Sequence, residues 1–193
     1  MTASPPRQAF RQQVHDQALD VAAAMLVEKG WDQVRFGDVA VAVGISRPTL
    51  YAAFGNKDEL AQALVNRETD RFLAGISEVL DARSADPEQA VTEAVAYTLA
   101  EAQRSPVLHG VLTQSDSLLP LLTTRSAPIL TTATEVLTAW FATNVPTLPA
   151  DVVAEGVDAL VRLVVSHLVL PAADPMLTPD RLARLAIRYL ELS

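Results

Sequence analysis

Residues 43–60 read VGISRPTLYAAFGNKDEL and hold the densest set of chemically useful side chains in the chain. Gly44 follows a short apolar run, where a helix exit calls for a residue that tolerates positive φ. Ser46 stands where an N-cap belongs, its hydroxyl placed to accept from an unpaired amide of the next turn. Pro48 falls in that first turn, where its missing N–H costs nothing. Leu50 and Phe54 are four apart and share one inward face. Arg47, Thr49, Tyr51 and Ala52 are left pointing elsewhere, so the helix has a small outer face that is polar and basic. The DNA major groove admits such a helix, and its chemistry would be hydrogen bonding to base edges and phosphates. Lys57 falls at N1 of the next helix, where a cation opposes the helix dipole, which suggests that it serves a phosphate.

No catalytic set competes with this stretch. His15, His109 and His167 lack metal-ligand spacing, and there is no glycine-rich phosphate loop, GxSxG elbow or HExxH pattern. With no cysteine, disulfide scaffolds and thiolate metal sites are excluded, and the chain suits a reducing cytoplasm. No cofactor is expected.

The elements that must position these residues are helical throughout. The chain has 193 residues, half of them hydrophobic, with few glycines, so an all-α fold with a sizeable core is expected. Phe10, Val14, Ala18, Val21 and Met25 trace one stripe of a first helix, with Ala22 and Leu26 beside it. Gly30 ends that helix, with Trp31 placed to cover Leu26 in a Schellman-type cap. A second short helix spans 36–43, with Val39, Ala40 and Val43 inward, and a third spans 47–54. Asn56 caps a fourth, with Glu59 at capping-box spacing, running to about residue 82 along Leu60, Leu64, Phe72, Ile76 and Leu80. Asp86 and Pro87 restart the chain into a fifth helix ending near Arg104, and Pro106, Pro120 and Pro128 divide the next stretch into shorter pieces. Longer helices are expected over 129–144 and 152–170, and a last one starts at Thr178 and Pro179. No run is apolar enough to span a bilayer, and the N-terminus has no signal-peptide core.

The net charge of −8 argues at first against a nucleic-acid partner. Its distribution reverses that reading. Residues 1–57 hold six Lys/Arg against five Asp/Glu, a net of +1, and residues 58–193 hold nine against eighteen, a net of −9. A local patch on an acidic protein can still bind DNA, with weak and salt-sensitive non-specific affinity.

Residues 25–65 resemble the N-terminal domain of TetR-type transcriptional regulators. The pattern AxxxGVSxxTLYxxFxxKxxL stands here as Ala40, Gly44, Ile45, Ser46, Thr49, Leu50, Tyr51, Phe54, Lys57 and Leu60, preceded by Gly30–Trp31. It covers about a quarter of the chain, without a break in spacing. The resemblance implies an all-α chain with a helix-turn-helix DNA-binding domain over 1–56 and a helical ligand-binding and dimerisation domain over 57–193. It implies that Ser46, Arg47, Pro48, Thr49, Tyr51 and Ala52 face a double-stranded DNA operator. In that setting Arg47 can read a guanine bidentately, Thr49 can reach a phosphate or a thymine methyl, and Tyr51 and Lys57 fit phosphates. Arg35 departs from the family, which usually has Thr there; Arg cannot cap that helix in the same way but can still contact a phosphate.

The resemblance also implies a small-molecule pocket in the second domain, for which Phe72, Ile76, Tyr97, His109, Leu112, Trp140 and Phe141 are candidates, although aromatic residues at helical spacing are more often core. Val157, Leu160, Val161, Val164 and Leu168, with Leu182 and Leu185 of the last helix, are too apolar for one core face, and a two-fold interface would bury the excess. The expected molecule is thus a cytoplasmic, homodimeric regulator, a repressor released by a small molecule. The rival reading is a helical module whose helix-turn-helix binds a protein partner, favoured by the weak basic charge and the plain Ala52–Ala53 pair.

Overall fold

The computed structural model describes residues 6–113, 127–170 and 178–192, and every regular element among them is helical. They form two compact units, one running to Glu68 and taking in the helix at 106–113, the other made of Thr69–Ser105 and the helices from residue 127 onward. The division falls inside the fourth helix rather than at its start, because that helix's first turns are buried with the N-terminal helices.

In the first unit, α1 spans Pro6–Lys29. Its buried row is Val14, Ala18, Ala22 and Leu26, with Leu19 and Ala23 beside it. Phe10 is 57% exposed, and Val21 and Met25 are only half-buried, so the inward face lies about one residue round from the predicted stripe. Periodicity alone locates a helix face no better than that, since neighbouring apolar rows overlap. α2 spans Phe36–Val43, α3 spans Arg47–Phe54, and both pack on α1 and on each other. Val39, Ala40, Leu50 and Phe54 are buried between them, while Val43 stays at the margin.

The caps follow residue chemistry, with two changes from expectation. Gly30 has φ 76° and ψ 149°, outside the left-handed helical well, so α1 leaves through an extended glycine into a 3-10 turn at Trp31–Gln33. The Schellman motif is instead at the end of α2, where Gly44 (φ 77°, ψ 28°) donates to Val41 O and Ile45 N–H donates to Ala40 O at 3.0 Å. α4, at Lys57–Asp81, starts with Asn56 Oδ1 accepting from the amides of Asp58 and Glu59 at 2.8 and 2.9 Å. Glu59 Oε1 accepts from the Asn56 side-chain amide, not from its backbone N–H, which donates to Phe54 O; the capping box is therefore incomplete. Leu60, Ala61, Leu64 and Val65 bury this end of α4, and Arg67 donates to Asp20 of α1 at 2.8 Å. A further helix, Pro106–Thr113, packs on α1; it comes after α5 (Pro87–Arg104) and is α6.

The second unit closes around α5, the end of α4, and α7 (Ala127–Asn144), α8 (Ala150–Val169) and α9 (Thr178–Tyr189). Asp86 caps α5 by accepting from Gln89 N–H at 3.0 Å, with Pro87 at N1 as the sequence predicts. α9 packs on α5 and α8, and α7 on α8. The core gathers Leu73, Ile76 and Leu80 of α4 with Val91 and Val95 of α5, Trp140 and Phe141 of α7, Val157 and Val161 of α8, and Leu182 and Leu190. Gly156 lets α8 and α9 touch, since a Cβ there would lie 2.7 Å from Leu190 Cδ2 and 2.9 Å from Tyr189 Cδ1. Among the described residues no helix is long and apolar enough to cross a membrane.

Gly44 sets the angle between α2 and α3 by conformation alone, because a Cβ there would meet nothing within 4 Å. Gly44→Val is therefore expected to cost about 1–2 kcal/mol of unfolding free energy in chemical denaturation, the penalty of holding a branched residue in the left-handed region. Gly44→Asn should recover most of that loss.

Candidate nucleic-acid interface

The turn between α2 and α3 and the outer face of α3 form one continuous exposed surface. Ser46 caps α3 as predicted, its Oγ accepting from Thr49 N–H at 3.2 Å. The Ser46 and Thr49 hydroxyls also lie 2.7 Å apart and share one hydrogen bond. One hydroxyl proton of the pair is left over for an acceptor outside the protein. Pro48 is exposed in the first turn, and Ala52 and Ala53 continue the face without long side chains.

Arg47 is exposed at the first position of α3. Its guanidinium lies against the first turn of α2, where a Cβ on Gly37 would come within 3.0 Å of Nε and 3.2 Å of Cζ. The missing side chain at Gly37 thus makes room for the arginine. The Tyr51 ring, 54% exposed, rests on Phe36 with centroids 4.8 Å apart and planes tilted by 59°, so its hydroxyl stands at the surface. Behind this face, Leu50 is fully buried and Phe54 stacks on His15 of α1 at 4.7 Å. Sequence reasoning misses Gly37, Phe36 and His15 as supports. A glycine in the first turn of a short helix is unfavourable by propensity, and that cost is the available signal for a close approach.

The remaining expected contacts divide. Arg35 is exposed at the N-cap of α2 and makes no side-chain cap bond, in line with the expectation that arginine cannot cap there. Lys57 has an internal role: its Nζ donates to Trp31 O at 3.0 Å and sits 5.5 Å from the centre of the Trp31 ring. This bond accounts for a cation at N1 without any phosphate.

The residues expected to line a pocket differ in their surroundings. Ile76, Trp140 and Phe141 are buried in the core; Trp140 meets Phe141 edge-on at 5.2 Å and donates Nε1–H to Asp81 at 3.0 Å. Phe72 and Tyr97 are half-buried. The Tyr97 ring end lies against Gly75, and its phenol is pushed upward by burial and by Glu101 and Glu78, against the pull of Arg104. His109 is exposed on α6 in the other unit, and the side chain of Leu112 lies outside the described residues.

The residues expected at a dimer interface need a correction as well. Val157, Val161, Val164 and Leu182 belong to the protomer's own core, and Leu160 and Leu168 are half-buried against it, because α8 is covered by α5, α7 and α9. Leu185, 56% exposed, is uncovered, and it is joined by Leu163, Leu170 and Tyr189. The outer face of α8 is polar, with Glu155, Arg162 and Ser166 exposed. Among the described residues no group of three or more His, Cys, Asp or Glu could hold a metal ion.

Comparison with known proteins places both units. Residues 18–64 match the family described as bacterial regulatory proteins, tetR family, and residues 86–188 match that described as bacterial tetracyclin repressor, C-terminal domain. The chain is 34% identical to the HTH-type transcriptional regulator AlkX of Mycobacterium tuberculosis over 97% of this chain and 90% of that protein. It is 41% identical to the HTH-type transcriptional repressor ComR of Escherichia coli over 59 residues, 31% of this chain and 28% of that one. Among solved structures it is similar to the TetR family repressor AlkX of Dietzia sp. strain DQ12-45-1b, implicated in biodegradation of n-alkanes, with a TM-score of 0.77 and 28% identity over 91% of this chain and 96% of that one.

Since Lys57 bonds the first carbonyl of the turn after α1, Lys57→Met is expected to lower stability by about 1.5 kcal/mol, the lower end for a charge-assisted bond. Thermal unfolding in the absence of DNA measures this; an unchanged midpoint would return the lysine to a purely DNA-facing role.

Proposed function

The chain belongs to the TetR family of bacterial regulatory proteins, and on that premise we propose that it is a ligand-responsive transcriptional repressor that binds a palindromic operator as a homodimer. The observation that carries this reading is the division of α3: Leu50 and Phe54 anchor it inward while Arg47, Thr49 and Tyr51 face out. In this reading Arg47 swings from Gly37 to a guanine edge in the major groove. The spare hydroxyl proton of the Ser46–Thr49 pair and the Tyr51 hydroxyl bond phosphates. Arg35, Pro48, Ala52 and the outward protons of Lys57 complete the surface. Two such heads read half-sites about 34–36 Å apart, or a multiple of that.

The first unit serves as the DNA-reading head. The second provides the dimer surface, through the outer faces of α8 and α9 where Leu163, Leu170, Leu185 and Tyr189 are exposed, and it receives a small-molecule effector. The half-buried Phe72 and Tyr97 are the candidates of the predicted set best placed to move aside for one. Similarity to a repressor implicated in n-alkane biodegradation supports starting the effector search with aliphatic molecules. Effector binding would favour a DNA-incompetent population, with a coupling of about 1–3 kcal/mol.

Selection of bound duplexes from random or genomic DNA is expected to enrich an inverted repeat. In anisotropy titrations Arg47→Ala should weaken the selected site by about 1–3 kcal/mol and relax preference at one base pair, with helicity unchanged. Wild-type affinity should fall steeply with salt. A folded protein that enriches no sequence, with or without cell extract as a source of effector, would sink the proposal in favour of a protein-binding helix-turn-helix.

A further inference from the structure

Nothing in the backbone of α2 asks for a glycine at position 37. Gly37 is the second residue of the helix and does not share the positive φ of Gly30, Gly44 and Gly55. Glycine is a poor helix former, and alanine in its place would strengthen this short helix. What a side chain would disturb is Arg47. The three atoms nearest to a Cβ built on Gly37 all belong to its guanidinium group, Nε at 3.0 Å and Cζ and Nη2 at 3.2 Å. The glycine is thus a notch in α2 that receives the guanidinium from the start of α3.

The notch holds the arginine by shape rather than by charge. It lies in the first turn of a helix whose N-cap makes no side-chain bond, at the end where the helix dipole disfavours a cation. Arg35, at that N-cap, adds a second positive charge two residues away. Asp38 is the carboxylate of the turn, and Lys29 Nζ stands 3.9 Å from it. Arg47 is exposed and can leave the notch at little cost. Two positions are therefore open to it, one withdrawn against α2 and one extended from α3.

We propose that Gly37 is a specificity-determining residue, one that sets how strictly the protein reads the base pair opposite Arg47. The inference rests on the operator-binding reading above. A guanine offers O6 and N7 together, and the extended fork binds both. No other base offers two acceptors side by side: adenine and cytosine bring an amino donor, and thymine a methyl group. A guanidinium held extended against one of these would keep desolvated donors without acceptors, which costs more than the lost bonds alone. With DNA in front and α2 behind, the notch gives the arginine a place to withdraw. Gly37 thereby admits degenerate half-sites. A side chain at position 37 closes the retreat and leaves the full penalty in force against the wrong base.

Anisotropy titrations of the full chain test this on two duplexes, the selected one and one changed at the base pair that Arg47→Ala relaxes. Wild type, Gly37→Ala and Gly37→Leu, each with Arg47 and with Arg47→Ala, form double-mutant cycles. Gly37→Ala should bind the selected duplex about twofold tighter, because a competing conformer of the arginine is lost. Its affinity ratio between the two duplexes should widen by about fivefold. Gly37→Leu fills the notch more completely and should widen the ratio further. Both changes should vanish in the Arg47→Ala background, which a mere stiffening of α2 would not produce. Circular dichroism checks the fold, and should the leucine variant fail to fold, the alanine variant decides alone. An unchanged or narrowed ratio overturns the inference and leaves operator binding standing, as does a widening that persists without Arg47. An operator at which Arg47→Ala relaxes no base pair overturns the inference together with the base-reading role of Arg47. A protein that enriches no duplex at all overturns the operator reading and this inference with it.

Discussion

The recognition face depends on the burial of two side chains, Leu50 and Phe54, on one side of an eight-residue helix. An isolated helix of that length does not persist in water, so α3 exists because α1 and α2 cover its apolar side. Each buried side chain contributes about 1.5–3 kcal/mol, and together they fix the rotation of the helix. Once that rotation is set, Arg47, Thr49 and Tyr51 have no direction left but outward. His15, stacked on Phe54, and Phe36, beneath Tyr51, transmit the same constraint from the neighbouring helices to the surface.

The polar groups of this head are arranged so that structure consumes some and leaves others available. Ser46 and Thr49 satisfy the start of α3, and Lys57 ties the start of α4 to the turn after α1. Among the described residues Arg47 and Tyr51 have only packing partners, glycine backbone in one case and an aromatic ring in the other. A cation without an anion beside it and a hydroxyl at the surface keep their hydrogen-bonding capacity for a ligand. Across the chain, charge is segregated in the same sense, with a near-neutral head and an acidic remainder. A near-neutral head repels a polyanion less than the acidic remainder does.

Much of this is legible from residue types. The boundaries of α2 and α3, the capping by Ser46 and Asp86, and the inward pair on α3 follow from local backbone chemistry, which is decided within a few residues. Three of the discrepancies are of one kind. Periodicity puts the stripe on α1 about a residue off, glycine spacing puts the Schellman motif at Gly30 instead of Gly44, and apolar content puts valines of α8 at an interface when they line the protomer's own core. Each of these depends on which neighbour covers a face, and an apolar residue carries no label for its neighbour.

By itself, then, the sequence determined an all-helical chain, the helix-turn-helix with its outward residues, and an acidic body separate from a near-neutral head, because propensity, capping and charge are local properties. Only the tertiary structure decided that Lys57 bonds Trp31, that Gly37 yields its space to Arg47, and that Tyr189 of α9 bonds Glu155 of α8. Those facts join residues distant in the chain or on separate helices, and a contact between two elements is fixed by how the whole core packs, which no local pattern encodes.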